Sequence, residues 1–281
     1  MHEQAGKFID KTVREVNLSL RKLLPGKGIF PKIIADAVRY SVFPGGKRFR
    51  PVLMHAAASA CLPHGITGKK KKKLLMLSAA IEMIHCSSLV HDDLPAMDDD
   101  DYRRGKLSTH KRFGEAIAIL AGDALLFRAF EVISLAGECE AAGEIARASG
   151  YAGMVGGQAA DMTLPRKRMS RKTIGIIHEL KTGELIRVSL RCGGLAAGAG
   201  ARKISALDRY GKLMGLCFQI TDDILDGPGG DKTSFCHVYG VEGSKRMAGR
   251  YKEEAIGALA GFGSEADILR HMAECVENRK K

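Results

Sequence analysis

Residues 74–93 read LLMLSAAIEMIHCSSLVHDD. The apolar run from Leu74 to Val90 is broken by Glu82 and His85 and flows into Asp92 and Asp93. A membrane span needs about 20 apolar residues with few charges. The run therefore reads as a helix buried in a protein core, and stable membrane insertion is not expected. Working outward, apolar residues recur at helical spacing, as in Phe8, Val13, Val16 and Leu20, then Ile117, Leu120, Ala124 and Phe127. No stretch alternates apolar and polar residues over strand length between Asn-Gly or Asp-Gly turns. The expected class is all-α. Breaks are expected at Pro25–Pro31, Pro44–Gly46, Pro63–Gly68, after Pro95, around Pro165 and at Gly227–Gly230, leaving about ten helices.

The chain has 281 residues, 45% hydrophobic and 27% charged, which excludes intrinsic disorder and provides for a sizeable core. No fixed repeat or Ser/Pro-rich linker divides it, so residues 1–281 are read as one domain. The 44 Lys plus Arg exceed the 32 Asp plus Glu, for a formal charge of +12, and favour an anionic partner. Trp is absent and aromatics are 6%, so base-stacking platforms are poorly supplied and no nucleic acid is expected. The lysine run Lys69–Lys73 reads as a solvated helix start or loop. Seven Cys without a C-x-x-C pair suggest neither a zinc ribbon nor a disulfide framework. With no secretion signal at the first residues, the expected location is the cytoplasm.

The strongest chemical signal is a pair of acidic segments, HDDLPAMDDDDYRRG at 91–105 and QITDDILD at 219–226. Asp222 and Asp226, four residues apart, share a helix face, with Asp223 on the flank. Like charges so placed repel by roughly a few tenths of a kcal/mol on a solvated helix, and more when partly buried, so a cation is a natural compensation. Carboxylate oxygens without clustered Cys or His point to Mg²⁺. In the first segment Pro95 removes a backbone hydrogen bond and pushes Leu94 out of helical geometry. The resulting kink is expected to bring Asp98 beside Asp92. Mg²⁺ is held by a few carboxylates together with phosphate oxygens, so the expected substrate carries phosphates.

Arg103 and Arg104 follow the first cluster, and upstream lies GGKRFRP at 45–51, where Lys47, Arg48 and Arg50 follow two glycines. Arg forks suit phosphate, and Pro51 in the first turn of a helix places these cations at its N-terminus. Taken alone, the motif is equally an ordinary exposed start to a helix. His85 on an apolar helix also fits a core histidine, and Lys181 with Thr182 before Gly183 also fits a simple kink. Gln158 and Asp161 fit either a cavity-lining pair or a buried helix contact.

In combination, GGKRFRP, IHCSSLVHDDLPAMDDDDYRRGKLSTHKRFGE, LAGDALL, GGQAADM, IHELKTGELI and GLCFQITDDILD resemble the trans-isoprenyl diphosphate synthases, from about Pro44 to Lys232. The family includes farnesyl and geranylgeranyl diphosphate synthases. The resemblance implies an isoprenoid-synthase-type helical bundle around a central cavity, usually a homodimer. It implies head-to-tail joining of an allylic diphosphate (dimethylallyl, geranyl or farnesyl) to isopentenyl diphosphate. Asp92, Asp98 and Asp222 would be the main Mg²⁺ ligands, three ions with diphosphate bound, supported by Asp93, Asp223 and Asp226. Arg103, Lys181, Thr182 and Gln219 would face the allylic substrate, and Lys47, Arg50, His85 and Arg104 the isopentenyl diphosphate.

Ser88 and Ser87 lie four and five residues before Asp92, about one 5.4 Å turn deeper on the helix. In the family a bulky aromatic there stops growth at farnesyl, so the two serines point to geranylgeranyl diphosphate, with farnesyl diphosphate the alternative. After the second cluster the family has a longer loop with two lysines. Here GPGGDKTSFCHVYG retains Lys232 as the match to the second and lacks the first. That departure keeps open a weakly active or noncatalytic partner subunit.

Overall fold

The run at 74–90 lies in a 25-residue helix, α4 (Gly68–Asp92). Leu74, Leu77, Ile81, Met83 and Ile84 are fully buried, as expected of a core helix. Among the described residues α4 is the one helix long and apolar enough to cross a membrane, and 67% of its apolar window is buried inside the protein. The computed structural model describes residues 2–26, 28–43, 45–62, 65–164, 170–227, 234–277 and 279.

Around α4 the order is α1 (His2–Leu23), α2 (Lys32–Val42), α3 (Phe49–Cys61), then β1 (Tyr102–Arg103), β2 (Lys106–Leu107), α5 (Thr109–Phe113) and α6 (Glu115–Ala136). There follow α7 (Cys139–Ser149), α8 (Met154–Thr163), α9 (Arg171–His178), a π-helical turn (Glu179–Gly183), α10 (Glu184–Ala197), α11 (Ala201–Asp226), α12 (Phe235–Ala258) and α13 (Asp267–Glu277). Every helix but α5 and α9 has at least ten residues, in keeping with the helical bundle expected. The expected breaks all separate helices. Others, at Gly137 and Gly198, are left-handed C-caps with φ of 69° and 79°, a conformation that glycine adopts without a Cβ clash.

The small antiparallel hairpin β1–β2 departs from the all-helical expectation. Its turn residues Arg104 and Gly105 both have positive φ, 54° and 75°, the pattern of a tight hairpin turn. Tertiary contacts hold it: Tyr40 Oη donates to the Leu107 carbonyl at 2.8 Å, and Lys106 Nζ donates to the Phe43 carbonyl at 2.6 Å.

The chain forms two compact units. The first comprises Phe8–Val52 and Lys71–Ala142, the second Met1–Lys7, Leu53–Lys70 and Gly143–Lys281. In the first, α4 meets α6 closely at Gly122, where a Cβ would fall 2.1 Å from His91 Nε2. Two members of the lysine run are spent on ion pairs there, Lys71 with Glu15 at 2.7 Å and Lys73 with Glu138 at 2.6 Å. In the second unit α10 and α11 cross tightly at Gly211, where a Cβ would meet the Arg187 Cα at 2.7 Å. Arg187 bonds Glu184 and Asp208, and Arg191 bonds Asp208 and Glu144, which ties α7, α10 and α11 together.

Candidate active site

In the first unit, α4 ends at Asp92 and the chain doubles back. The Met97 amide donates to the Leu94 carbonyl at 2.9 Å, and the Asp98 amide to the Asp92 carbonyl at 2.9 Å. Leu94 and Met97 anchor this loop on Val90 and Ala118. Asp98 therefore stands beside Asp92, as the Pro95 kink led us to expect. Asp92 is half-buried and Asp98 exposed. Asp93 turns inward and accepts from Arg103 Nε at 2.8 Å, while Arg103 Nη2 also reaches Asp100 at 2.6 Å. Burial pushes the Asp93 carboxyl above its ordinary pKa, against the pull of Arg103.

Arg104, on the hairpin turn, lies against Gly46, where a Cβ would be 3.1 Å from the guanidinium carbon. It also donates to the Cys86 sulfur on α4. His85, one residue earlier, has its pKa pushed well below the usual value by burial first and then by Arg50, Arg104, Arg48 and Arg103. A neutral imidazole among arginines is thus the state of this site. Lys47 is exposed and Arg50 half-buried at the start of α3. Arg48, between them, is not exposed with its neighbours but fully buried on Glu82, because its guanidinium has partners only inside.

In the second unit the sequence KTG lies in a π-helical turn, a distortion that recurs at functional sites. The turn is clasped by two glycines: a Cβ on Gly157 would stand 2.3 Å from the Lys181 amide nitrogen, and one on Gly215 2.5 Å from the Gly183 Cα. Lys181 Nζ donates to Asp161 at 2.7 Å, which makes Asp161 a partner of Lys181. Thr182 Oγ1 donates to Gln219 Oε1 at 2.9 Å, and Gln219 Nε2 donates to Asp223 at 3.1 Å. The other Asp223 oxygen caps α12 by accepting from the Phe235 amide at 2.7 Å. Burial raises the Asp223 pKa, opposed by nearby His178 and these hydrogen bonds. Asp222 pairs with Arg279 at 2.9 Å, and Asp226 is exposed. Arg279, Glu82 and Asn17 carry no motif signal in the sequence. Lys232 lies outside the described residues.

Ser87 is buried and donates to the Gly122 carbonyl on α6 at 2.8 Å. Ser88 is half-buried and donates to the His85 carbonyl of its own helix at 3.0 Å. The two candidate length-setting residues thus face different surroundings.

Asp92 with Asp98, and Asp222 with Asp226, are hard oxygen donors of the kind Mg²⁺ prefers. Among the described residues no group of three or more His, Cys, Asp or Glu side chains could hold a metal by itself. The donor sets fit an ion that takes its remaining oxygens from water and diphosphate.

The polyprenyl synthetase family profile matches residues 31–234. The chain is 41% identical over 299 positions to the farnesyl diphosphate synthase of Escherichia coli (strain K12), covering 97% of this chain and 98% of that protein. It is 38% identical over 276 positions to the chloroplastic geranylgeranyl pyrophosphate synthase of Capsicum annuum, covering 90% and 73%. The crystal structure of an FPP/GFPP synthase from Zymomonas mobilis matches with a TM-score of 0.89 at 34% identity, covering 98% of this chain and 100% of that one. The chain belongs to the polyprenyl synthetase family, the trans-isoprenyl diphosphate synthases, and is a prenyltransferase.

Proposed function

We propose that the chain condenses an allylic diphosphate with isopentenyl diphosphate in a Mg²⁺-dependent reaction whose product is geranylgeranyl diphosphate. The observation that carries this reading is the neutral His85 with Arg50 and Arg104 around it. A second cationic diphosphate site is what a condensing enzyme needs and a terpene cyclase does not. Lys47, Arg50, His85 and Arg104 are assigned to isopentenyl diphosphate, and Arg103, Lys181, Thr182 and Gln219 to the allylic substrate. Lys232 is assigned to diphosphate as well. Asp92, Asp98 and Asp222 are assigned to the metal ions, with Asp93, Asp223 and Asp226 behind them.

The chemistry follows from where charge develops. As the allylic C–O bond breaks, negative charge grows on the departing diphosphate, and Lys181 and Arg103 stabilise that state more than the ground state. Bound Mg²⁺ supplies further neutralisation of the leaving group. Thr182 directs its hydroxyl proton at Gln219. Its oxygen lone pairs therefore remain available to the electron-poor allylic carbon. The double bond of isopentenyl diphosphate attacks that carbon, and the released diphosphate takes the proton lost from the adduct. No side chain is assigned as base.

Small Ser87 and Ser88 support a C20 product, although Ser87 is committed to α6. The family profile at 31–234 takes in chain segments of both compact units, which supports one domain over 1–281. Leu120, Phe127 and Leu135, on one side of α6, are exposed, Phe127 to 75%, and support a homodimer formed through this helix. Seven free thiols support a reducing, cytoplasmic location.

Incubation with each allylic starter, labelled isopentenyl diphosphate and Mg²⁺, followed by chromatography of the dephosphorylated products, tests the reading. A C20 alcohol is expected. Growth that stops at C15 identifies a farnesyl diphosphate synthase, and turnover only after a second subunit is added identifies a partner subunit. Undiminished turnover by Asp92→Asn or Asp222→Asn removes the metal assignment.

A further inference from the structure

Arg48 sits in the middle of GGKRFRP, yet its side chain is 0% exposed and that of Glu82, its partner at 2.7 Å, is 2% exposed. The guanidinium is fully occupied: Nη1 donates to Glu82, Nε to Asn17 Oδ1 at 3.0 Å, and Nη2 to the Val42 carbonyl at 2.9 Å. Its backbone has φ of +48°, a left-handed conformation that a non-glycine residue holds only where its surroundings impose it. A Cβ on Gly45 would lie 2.2 Å from Nη2, so the first glycine of the motif is the space into which Arg48 folds.

We infer that the buried Arg48–Glu82 pair is a positioning element that fixes Lys47 and Arg50 in register with His85 for binding isopentenyl diphosphate. The inference rests on the subsite assignment proposed above. Lys47 and Arg50 flank Arg48 on the loop and first turn of α3, and Glu82 precedes His85 by three residues on α4. The pair is therefore a direct tie between the two elements that carry the subsite. The charge of Arg50 bears strongly on His85, as expected for neighbours held close.

Stability alone does not account for the pair. A buried ion pair often matches or falls short of apolar residues of the same volume, because desolvation offsets the attraction. Here Glu82 Oε2 is buried without a hydrogen-bond partner among the described residues, a further cost. What the pair provides is a single geometry for the loop.

The test is the double variant Arg48→Met/Glu82→Leu, which removes both charges and leaves neither unpaired. Steady-state kinetics, with Lys47→Ala as reference, and thermal melting are measured together. The expected result is a folded protein whose KM for isopentenyl diphosphate rises roughly tenfold to a hundredfold, with the KM for the allylic substrate and kcat at saturation little changed. Gly45→Ala, which displaces Arg48 without removing a charge, is expected to move the same constant and carries the test if the double variant does not fold. If Lys47→Ala leaves that KM unchanged, the subsite assignment fails and the inference with it. If Lys47→Ala is defective while the double variant keeps the wild-type KM, the inference alone is overturned. A parallel fall of kcat, both affinities and melting temperature also overturns it, since that marks a merely structural pair.

Discussion

Arg279 Nη1 lies 2.9 Å from Asp222 Oδ1, and its guanidinium carbon sits 4.5 Å from the centre of the Phe218 ring. A carboxylate assigned to a metal ion is thus paired with an arginine from beyond α13. Both side chains are about a quarter exposed, so the pair contributes at most about 1 kcal/mol, equivalent to roughly fivefold in an equilibrium constant. Arginine and cation compete for one carboxylate. Arg279→Gln is expected to lower the Mg²⁺ concentration for half-maximal activity by up to about that factor. A metal titration of prenyl transfer checks it, and an increased requirement would show that Arg279 assists rather than competes.

Gly157 is the point at which α8 meets the π-helical turn. Alanine ordinarily favours a helix over glycine by about 1 kcal/mol. Here its Cβ would lie 2.3 Å from the Lys181 nitrogen, backbone that cannot move without shifting Lys181 and Thr182. Gly157→Ala is expected to destabilise by about 1–3 kcal/mol and to lower kcat. Urea unfolding beside a turnover assay measures both; a more stable, fully active variant would contradict the close approach.

Ser87 and Ser88 separate experimentally because their hydroxyls have different partners. Ser88→Phe is expected to shorten the product to C15 with the fold intact. Ser87→Phe must enlarge a side chain held 2.8 Å from the Gly122 carbonyl, so its main effect is a loss of about 1–3 kcal/mol of stability. Product chromatography and thermal melting distinguish the two. Unchanged products from Ser88→Phe would dissociate that residue from chain length.

His85 makes stability depend on pH in a definite direction. Burial, then Arg50 and Arg104, depress its folded pKa well below the unfolded value of about 6.5. Below that value the unfolded chain binds a proton that the folded protein refuses. Stability is therefore full above about pH 6.5 and falls as the pH drops toward the folded pKa, with a slope of up to about 1.4 kcal/mol per unit. His85→Gln is expected to flatten this acid limb. Urea unfolding between about pH 7 and 5 checks it, and curves for variant and wild type that stay parallel would remove His85 as the cause.

Much of the fold was legible because helices are coded locally. Leu74–Val90 predicted α4, and prolines and glycines marked the large breaks. Pro95 led to the apposition of Asp98 and Asp92, which a backbone hydrogen bond achieves. The β1–β2 hairpin was missed because two-residue strands have no detectable alternation, and its register depends on Tyr40 and Lys106 contacts from far along the chain. Thr182 and Gln219 came from family resemblance, but their mutual hydrogen bond joins residues 37 apart and has no local signal.

Local sequence determined the helical class, the acidic segments, the basic motif and the family to which they belong, since these depend on residue type and spacing within a few turns. Tertiary structure alone decided which charges face solvent and which are consumed by partners. Lys47, Arg48 and Arg50 look alike in GGKRFRP, yet Arg48 is buried on Glu82. Asp222 and Asp223 are adjacent, yet one pairs with Arg279 and the other caps α12. The desolvation of a charge and its compensation depend on groups brought in from distant parts of the chain, and only folding brings them together.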